Sequence, residues 1–356
     1  MSLRFLIMAG GTGGHVFPAL AVAKALMAQG HSVEWLGTNR GLEARVVPAA
    51  GIQLHSLNIA GVRGRGVRHL LLAPWLIIKA VFTVRQILRR LQPAAVIGLG
   101  GYVAGPGGVA AFLSRIPLLI HEQNAVAGTT NRLLARMARR VLCAFPDMLP
   151  GAITIGNPLR ASFYDQAEPA SRFDGREGAP RLLVLGGSLG AQALNQTLPR
   201  ALALLPSQTR PLVRHQTGTQ HAAACELAYQ ERGLNARIEP FIEDVAEALA
   251  WADLVICRAG ALTVAELSAV GVAAVLVPYP HAIDDHQTAN AQWLVERGAA
   301  MLAPQESLSP ERLSRLLTEI LSDRPRLCAM ATAARAAATP DATEVFVQHI
   351  LELSHG

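Results

Sequence analysis

LIMAGGTGGH, at residues 6–15, joins an apolar run to a cluster of glycines. The apolar part predicts a buried strand over residues 3–9, and the glycines predict a tight loop that leads into a helix over about 18–29. A second segment of the same design, LVLGGSLGA, occupies residues 183–191. Two strand, loop and helix segments of one design indicate an internal duplication.

Apolar runs and helical segments alternate through both halves of the chain, which is typical of parallel sheets covered by helices. We therefore predict an α/β fold built from two doubly wound parallel-sheet units. Besides the first strand, the sequence predicts strands at 32–36, 94–99, 117–121, 181–185, 212–215, 254–257 and 273–277.

The length of 356 residues also favours two domains over one. Residues 168–180, rich in Pro, Gly and charge, predict a solvated linker that contains the hinge. The predicted units are residues 1–163, joined by a C-terminal helix within 341–356, and residues 164–340. Because open α/β sheets bind ligands at the carboxyl ends of their strands, the site is expected in the cleft between the units.

Composition narrows the class of protein. About half the residues are apolar and 16% are charged, which excludes a disordered chain. The four cysteines are isolated, so neither a zinc site nor a redox pair is indicated. The apolar run at 70–82 contains Pro74 and Lys79 and is shorter than the roughly 20 residues that span a bilayer. No transmembrane segment is therefore predicted.

The net charge of +6 is unevenly distributed. Residues 44–121 contain no Asp or Glu, whereas Arg and Lys recur throughout them. Such a cationic surface attracts phosphate groups on nucleic acid, on anionic lipid or on a diphosphate substrate.

Three motifs of the first half carry candidate chemistry. The loop at 10–15 lets backbone N–H groups approach an anion at a helix N-terminus, with a tight turn as the alternative. It lacks the GxGxxG pattern, and no GxxxxGK[ST] occurs, which disfavours nicotinamide cofactors and ATP.

The six glycines within 98–108 indicate either close approach of a bulky ligand or tight packing of a helix on a sheet. HEQN at 121–124 offers polar groups for sugar hydroxyls, with a buried histidine and a helix-terminal charge as the alternative.

The second half has its own glycine loop, GGSLG at 186–190. It is either a phosphate-holding turn with Ser188 as donor or the GxSxG elbow of a serine hydrolase. A hydrolase would take its acid and base from Asp253 or Asp285 and His281 or His286.

Two further polar positions follow. Glu266, about one turn inside a predicted helix, is suited to accept hydrogen bonds from two ribose hydroxyls, unless it is only an exposed helix charge. HAIDDHQ at 281–287 favours a loop that binds sugar hydroxyls through Gln287 and Asn290 over a metal site.

Together these motifs resemble the MurG family of undecaprenyl-diphospho-muramoylpentapeptide N-acetylglucosaminyltransferases, which are GT-B enzymes of peptidoglycan synthesis in glycosyltransferase family 28. The likeness covers nearly the whole chain. It rests on GGTGGHVFPA, GLGGYVAGPGG, HEQNAVAGTTN, GNPLR, GGSLGAQALN, RAGALTVAEL and HAIDDHQTANA, in the order of the family.

The resemblance implies that the first unit binds the acceptor and that the second binds UDP-N-acetylglucosamine (UDP-GlcNAc). It places Ile242 beside the uracil, Glu266 on the ribose and Gln287 on the sugar. The donor-binding residues that it implies are Thr12, Gly13, Gly14, Asn124, Arg160, Ser188, Ile242, Ala261, Leu262, Thr263, Val264, Ala265, Glu266 and Gln287.

The reaction implied is inverting transfer of GlcNAc without a cofactor or a metal ion. A base must then remove a proton from the acceptor hydroxyl. We predict that His15 is this base, because the helix N-terminus disfavours imidazolium. Glu122 and Asn124 are the other predicted catalytic residues. A UDP-sugar epimerase and a non-catalytic nucleotide-binding subunit are the alternatives.

The acceptor implied is lipid-linked muramyl-pentapeptide, so the protein is expected at an anionic membrane surface, peripherally on the cytoplasmic face of the bacterial inner membrane. Residues 70–82, with Arg63, Arg65, Arg68 and Arg85 beside them, combine apolar and cationic side chains as interfacial segments do. Burial in a core is the alternative. Nucleic acid is not an expected partner, because stacking aromatic residues are few.

Overall fold

The computed structural model describes residues 2–58, 66–187 and 190–355, and for 66–73, 283 and 355 it describes the backbone alone. The chain divides into two compact units. One comprises Met1–Leu159 with Thr339–Gly356, and the other comprises Arg160–Ala338. Arg160, which follows the motif GNPL, is thus the first residue of the second unit.

The first unit is a parallel sheet with helices on both faces. Its strands are β1 (Arg4–Ala9), β2 (Ser32–Gly37), β3 (Gln53–Ser56), β4 (Ala95–Gly100), β5 (Leu118–Glu122), β6 (Arg140–Cys143) and β7 (Ile153–Thr154). Its helices are α1 (Gly13–Ala28), α2 (Glu43–Ala49), α3 (Gly66–Leu91), α4 (Ala104–Leu113), α5 (Thr129–Leu134) and α14 (Ala342–His355). The strand order is β3-β2-β1-β4-β5-β6-β7.

Alternating side chains of β1 face two separate cores. Phe5 and Ile7 lie in a core with α1 and α14, whereas Leu6 and Met8 lie in a core with α3 and α4. Apolar residues of α14, such as Phe346, are buried in the first of these cores. The C-terminal helix therefore belongs to the first unit.

The second unit repeats this architecture. Its strands are β8 (Arg181–Leu185), β9 (Leu212–Gln216), β10 (Arg237–Glu239), β11 (Leu254–Cys257), β12 (Ala273–Leu276) and β13 (Ala300–Leu302), in the order β10-β9-β8-β11-β12-β13. Its helices are α6 (Pro169–Phe173), α7 (Gln192–Ala203), α8 (Ala222–Gln230), α9 (Val245–Trp251), α10 (Ala261–Val270), α11 (His286–Val295), α12 (Pro310–Leu321) and α13 (Arg324–Ala336). The predicted pair of doubly wound parallel sheets is confirmed.

Strand order reverses beside the first strand of each sheet. β1 lies between β2 and β4, and β8 lies between β9 and β11. The connections on the two sides of such a strand diverge and leave a crevice at its carboxyl end. Both glycine loops follow these strands, so each loop lies at the switch point of its own sheet.

The linker and hinge predicted over 168–180 are wrong, because this segment lies within the second unit, although most of its residues are exposed as predicted. Arg172 donates hydrogen bonds to the carbonyl oxygens of Ala250 and Val270, at 3.3 and 3.0 Å. Arg176 donates to Ala250 O at 3.1 Å and pairs with Asp253. Burial, together with the charges of Arg176 and Arg335, lowers the pKa of Arg172 to about 10. The polar composition of the segment thus reflects arginines that satisfy carbonyl groups within the second unit.

Helix α3 is the longest in the described part of the chain. Across the described residues, no helix is both long enough and apolar enough to span a bilayer.

Candidate active site

A buried carboxylate holds the first glycine loop in place. Glu43, at the start of α2, is completely buried. Its oxygens accept hydrogen bonds from Gly11 N at 2.9 Å, from Thr38 N at 2.9 Å and from the Thr38 hydroxyl at 2.7 Å. Three glycines leave the space that its side chain fills, because an added Cβ would collide with it: Gly10, Gly37 and Gly41. Glu43 therefore ties the loop after β1 to the turn after β2.

We expect Glu43→Ala to lower the stability of the first unit by about 3 kcal/mol. The substitution leaves three part-buried donors, Gly11 N, Thr38 N and the Thr38 hydroxyl, without their acceptor. An unsatisfied donor costs about 1–3 kcal/mol when it is buried and less where water reaches it. Urea unfolding followed by intrinsic fluorescence measures the change. Glu344→Gln, which alters an exposed acid of the same unit, is the control and should shift stability by less than about 0.5 kcal/mol. Equal effects of the two substitutions would contradict the anchoring role.

The second glycine cluster packs against the first loop. His15 lies half-buried in the first turn of α1. A Cβ added at Gly100 would lie 2.6 Å from His15 Nδ1, and one at Gly101 would lie 2.9 Å from Gly10 N. At these two positions the glycines serve close packing of chain on chain, the alternative that the sequence left open.

Glu122, at the end of β5, organises the loop that follows it. One carboxylate oxygen accepts from Asn124 N at 3.0 Å and from Asn124 Nδ2 at 3.2 Å. The other accepts from Gly128 N at 3.0 Å and from Asn131 Nδ2 at 2.9 Å. Four donors occupy this buried carboxylate, an arrangement that favours positioning of Asn124. Direct participation of Glu122 and Asn124 in the chemistry stays a prediction.

His121 is a buried histidine. Its Nε2 donates to Gly156 O at 2.9 Å, and its Nδ1 has no hydrogen-bond partner among the described residues. Burial lowers the pKa of His121 to about 4. The ring is therefore neutral at physiological pH and belongs to the core beside Phe346, at a ring distance of 5.3 Å.

The glycine loop of the second unit packs on the end of β9. A Cβ at Gly190 would collide with Thr217 O, which also accepts a hydrogen bond from Asn195 Nδ2 at 3.0 Å. His215 Nε2 and Asn195 Oδ1 are 3.0 Å apart, and burial lowers the pKa of His215 to about 3. A neutral buried network thus supports this loop. Ser188 lies outside the described residues, and its contact with a diphosphate stays a prediction.

Helix α10 begins beside that loop, because β11 pairs with β8. Gly260, which has no side chain, precedes the helix in extended conformation. A helix N-terminus of this kind binds anions through its N–H groups and its positive dipole end. The predicted donor-binding residues that form its first turns are Ala261, Leu262, Thr263, Val264 and Ala265.

The last carbonyl oxygens of α10 accept hydrogen bonds from two arginines. Arg335 donates to Ala269 O, and Arg172 donates to Val270 O and Gly271 O. Guanidinium groups complement the negative end of a helix. These arginines fix the C-terminal end of α10, while its N-terminus follows the carboxyl end of β11.

Glu266 lies in the second turn of α10 and is half-buried. Burial raises its pKa to about 8, and the charge of Arg160 acts in the opposite direction. Arg160 itself is exposed, with its guanidinium 5.3 Å from the Phe163 ring. A ligand whose hydroxyl groups donate hydrogen bonds to this carboxyl group stabilises its charged form and lowers its pKa.

Two further residues predicted to bind the UDP-sugar lie in the same unit, one on a loop and one at the start of a helix. Ile242 is buried and follows β10. Gln287, in the first turn of α11, accepts from Tyr279 N through Oε1 at 2.9 Å, which orients its Nε2 as a donor. Asn290 donates to Ala259 O at 3.1 Å and ties α11 to the turn before α10. Roles for Ile242 and Gln287 in ligand binding stay predictions.

A hydrolase triad with Asp253 is excluded. Asp253 precedes β11, whereas the glycine loop follows the parallel strand β8, so the two lie at opposite ends of the sheet. Asp253 also pairs with Arg176 and accepts from Arg181 N at 2.9 Å. Asp285 accepts from the Thr288 hydroxyl at 2.7 Å. Over the residues that the structure describes, no group of three or more His, Cys, Asp or Glu is arranged to hold a metal ion.

Both halves of the chain match models of known protein domains. Residues 5–143 match the N-terminal domain of glycosyltransferase family 28, and residues 181–346 match its C-terminal domain. The chain belongs to glycosyltransferase family 28. This membership and its GT-B fold confirm the resemblance found in the motifs.

Individual members of the family are similar over their full length. The UDP-N-acetylglucosamine–N-acetylmuramyl-(pentapeptide) pyrophosphoryl-undecaprenol N-acetylglucosamine transferase of Alkalilimnicola ehrlichii is 56% identical over 99% of both chains. The protein of the same name from Marinobacter nauticus is 54% identical over 99% of this chain and 98% of its own. The crystal structure of Acinetobacter baumannii MurG has a TM-score of 0.85 at 45% identity, covering 98% of this chain and 99% of that one.

Proposed function

We propose that the protein transfers GlcNAc from UDP-GlcNAc to the C4 hydroxyl of MurNAc in undecaprenyl-diphospho-MurNAc-pentapeptide, with inversion at the anomeric carbon. The observation that carries this proposal is the identity above 50%, over whole chains, to transferases named for these two substrates. The buried anchors of both glycine loops support it. The epimerase alternative has less support, because these relatives are named as transferases.

Donor recognition is assigned to the second unit. The N-terminus of α10 binds the diphosphate, and Glu266 accepts from the ribose hydroxyls. As UDP departs, negative charge develops on the diphosphate, where N–H groups and the helix dipole stabilise it. Arg160 belongs to the same unit and adds a positive charge near Glu266. These groups provide the stabilisation of the leaving group without a metal ion.

Proton removal is assigned to the first unit. Inverting displacement requires attack by the acceptor oxygen on the face of the sugar opposite UDP, and this oxygen loses its proton to a base. His15, fixed in the first turn of α1 and packed on Gly100, is assigned as that base. Thr12, Gly13 and Gly14 of the adjoining loop supply backbone N–H groups for substrate phosphate or hydroxyl groups.

The test is incubation with UDP-GlcNAc in EDTA, with and without the lipid-linked muramyl-pentapeptide. Acceptor-dependent release of UDP, together with a disaccharide lipid product, is expected. A UDP-sugar isomer formed without acceptor would instead identify an epimerase. Binding of UDP-GlcNAc without any turnover would identify a nucleotide-binding subunit.

We also propose that the protein binds the anionic cytoplasmic surface of the inner membrane peripherally. Exposed apolar side chains lie on α3 and on the neighbouring α4, and we call them the apolar patch: Trp75, Leu76, Ile77, Ile78, Phe82, Phe112 and Leu113. Exposed cations lie beside them, with Lys79 Nζ 5.5 Å from the Trp75 ring. Exposed apolar side chains with exposed cations beside them support interfacial binding over core burial. Arg63 and Arg65 lie outside the described residues, and for Arg68 and residues 70–73 the structure describes the backbone alone.

We expect Trp75→Glu with Ile78→Glu to lower binding to vesicles that contain anionic lipid by about 100-fold. Each large apolar side chain that enters an apolar phase contributes about 1.5–3 kcal/mol, and the added acids are repelled by the lipid charge. Co-sedimentation measures the binding. Leu204→Glu, at an exposed apolar residue of the second unit, is the control and should bind as the parent protein does. Unchanged binding of the double variant would refute the assignment of the apolar patch.

A further inference from the structure

Gln123 is a buried amide whose orientation is fixed by its neighbours. It directly follows β5 and is 2% exposed. Its Nε2 donates to Leu99 O at 2.7 Å, and its Oε1 lies 3.3 Å from His15 Nδ1. Its backbone oxygen accepts from Asn157 Nδ2 at 3.1 Å. These contacts hold the residue at both its backbone and its side chain.

The contact with Leu99 determines what Gln123 presents to His15. A rotated amide would set its carbonyl oxygen against Leu99 O, so the nitrogen must face Leu99 and Oε1 must face the imidazole. An amide oxygen only accepts hydrogen bonds, so the proton of the neutral ring lies on Nδ1. A neutral imidazole carries one N–H, and its lone pair is then on Nε2.

We propose that Gln123 is a positioning residue that sets the tautomer of His15 and thereby makes Nε2 the atom that takes the proton of the acceptor hydroxyl. The inference rests on the proposed function of His15 and deepens it. Gln123 does not bind sugar hydroxyls, as the HEQN motif had indicated, because its side chain is buried and both its polar atoms are engaged. Its partner role resembles that of a carboxylate beside a catalytic histidine, but it adds no charge.

Two substitutions of similar size separate positioning from simple packing. In Gln123→Glu an acceptor remains, but the negative charge favours imidazolium. The acidic limb of the pH profile of kcat/KM should therefore move to higher pH by about one unit or more. In Gln123→Met the hydrogen-bond acceptor for His15 Nδ1 is lost. Here kcat should fall by at least about tenfold, with KM for UDP-GlcNAc within about threefold and no upward shift of the acidic limb.

Nitrogen-15 NMR of labelled histidine provides a readout that needs no acceptor substrate. The His15 signal, assigned by its loss in His15→Ala, should show a neutral ring protonated at Nδ1 in the parent protein and a tautomer mixture in Gln123→Met. Protonation at Nε2 in the parent protein would overturn the inference, as would a pH profile that Gln123→Glu leaves in place. If the parent protein shows the Nδ1 tautomer but transfers no GlcNAc, the proposed function fails while the tautomer assignment stands.

Discussion

His15→Ala is expected to lower kcat by about 10²–10⁴-fold, with the Kd for UDP-GlcNAc within about threefold of the parent value. A general base typically contributes a factor of this size. The donor affinity should persist because Glu266 and the N-terminus of α10 belong to the second unit. Steady-state kinetics with the lipid-linked acceptor gives kcat, and isothermal titration calorimetry gives the Kd.

His31→Ala is the matched control, because His31 lies just beyond the opposite end of α1. Its ring accepts a hydrogen bond from Leu3 N at 3.2 Å, so a small loss of stability is expected, with kcat unchanged. If His15→Ala weakened donor binding and left kcat intact, His15 would position the donor and another group would be the base.

Glu266→Ala is expected to raise the Kd for UDP-GlcNAc by about 100-fold at pH 8. Two hydrogen bonds to a charged carboxylate would be lost, each contributing about 1.5–3 kcal/mol before compensation by water. The pH dependence of the Kd for UDP-GlcNAc tests the contact between Glu266 and the ribose more specifically. In the free protein the pKa of Glu266 is about 8, and hydroxyl donors on the carboxylate lower it in the complex.

The direction of the pH dependence of donor binding follows from this difference between the free and the bound pKa of Glu266. Below pH 8 the free carboxyl group is protonated and must release its proton on binding, so donor affinity falls as pH falls, by up to tenfold per unit. Calorimetry at pH 7 in two buffers of different ionisation enthalpy should show proton release. Glu266→Gln should abolish the release, whereas Glu296→Gln, at an exposed acid of the same unit, should preserve it. Proton release that survives Glu266→Gln would refute the ribose contact.

The sequence predicted the sheets well, because buried parallel strands are nearly continuous apolar runs. The strand predicted at 181–185 coincides with β8, and that at 254–257 coincides with β11. The prediction of the first residue of α1 was less accurate. Pro18 suggested a helix from about that residue, but the helix begins at Gly13, and the two glycines of its first turn disguise it. A glycine run looks like a loop whether or not it enters a helix.

The candidate site was predictable only where a motif is contiguous. The glycine loops and Glu266 stand out because local sequence places each of them after a strand or inside a helix. Glu43 and Gln123 act on residues 32 and 108 positions away, at Gly11 and His15. Only the fold brings such pairs together. A weak signal for Glu43 existed, since it is the last acid before a long acid-free stretch and lies close to Gly37 and Gly41.

The anomeric configuration of the transferred sugar provides the most direct test of a base-assisted single displacement on UDP-GlcNAc. The donor sugar is α-linked to UDP, so the disaccharide lipid formed by the parent protein should carry β-linked GlcNAc on C4 of MurNAc. Proton NMR of the released disaccharide distinguishes the two anomers by the coupling between H1 and H2. An α-linked product, or GlcNAc attached at another position, would contradict the proposed reaction.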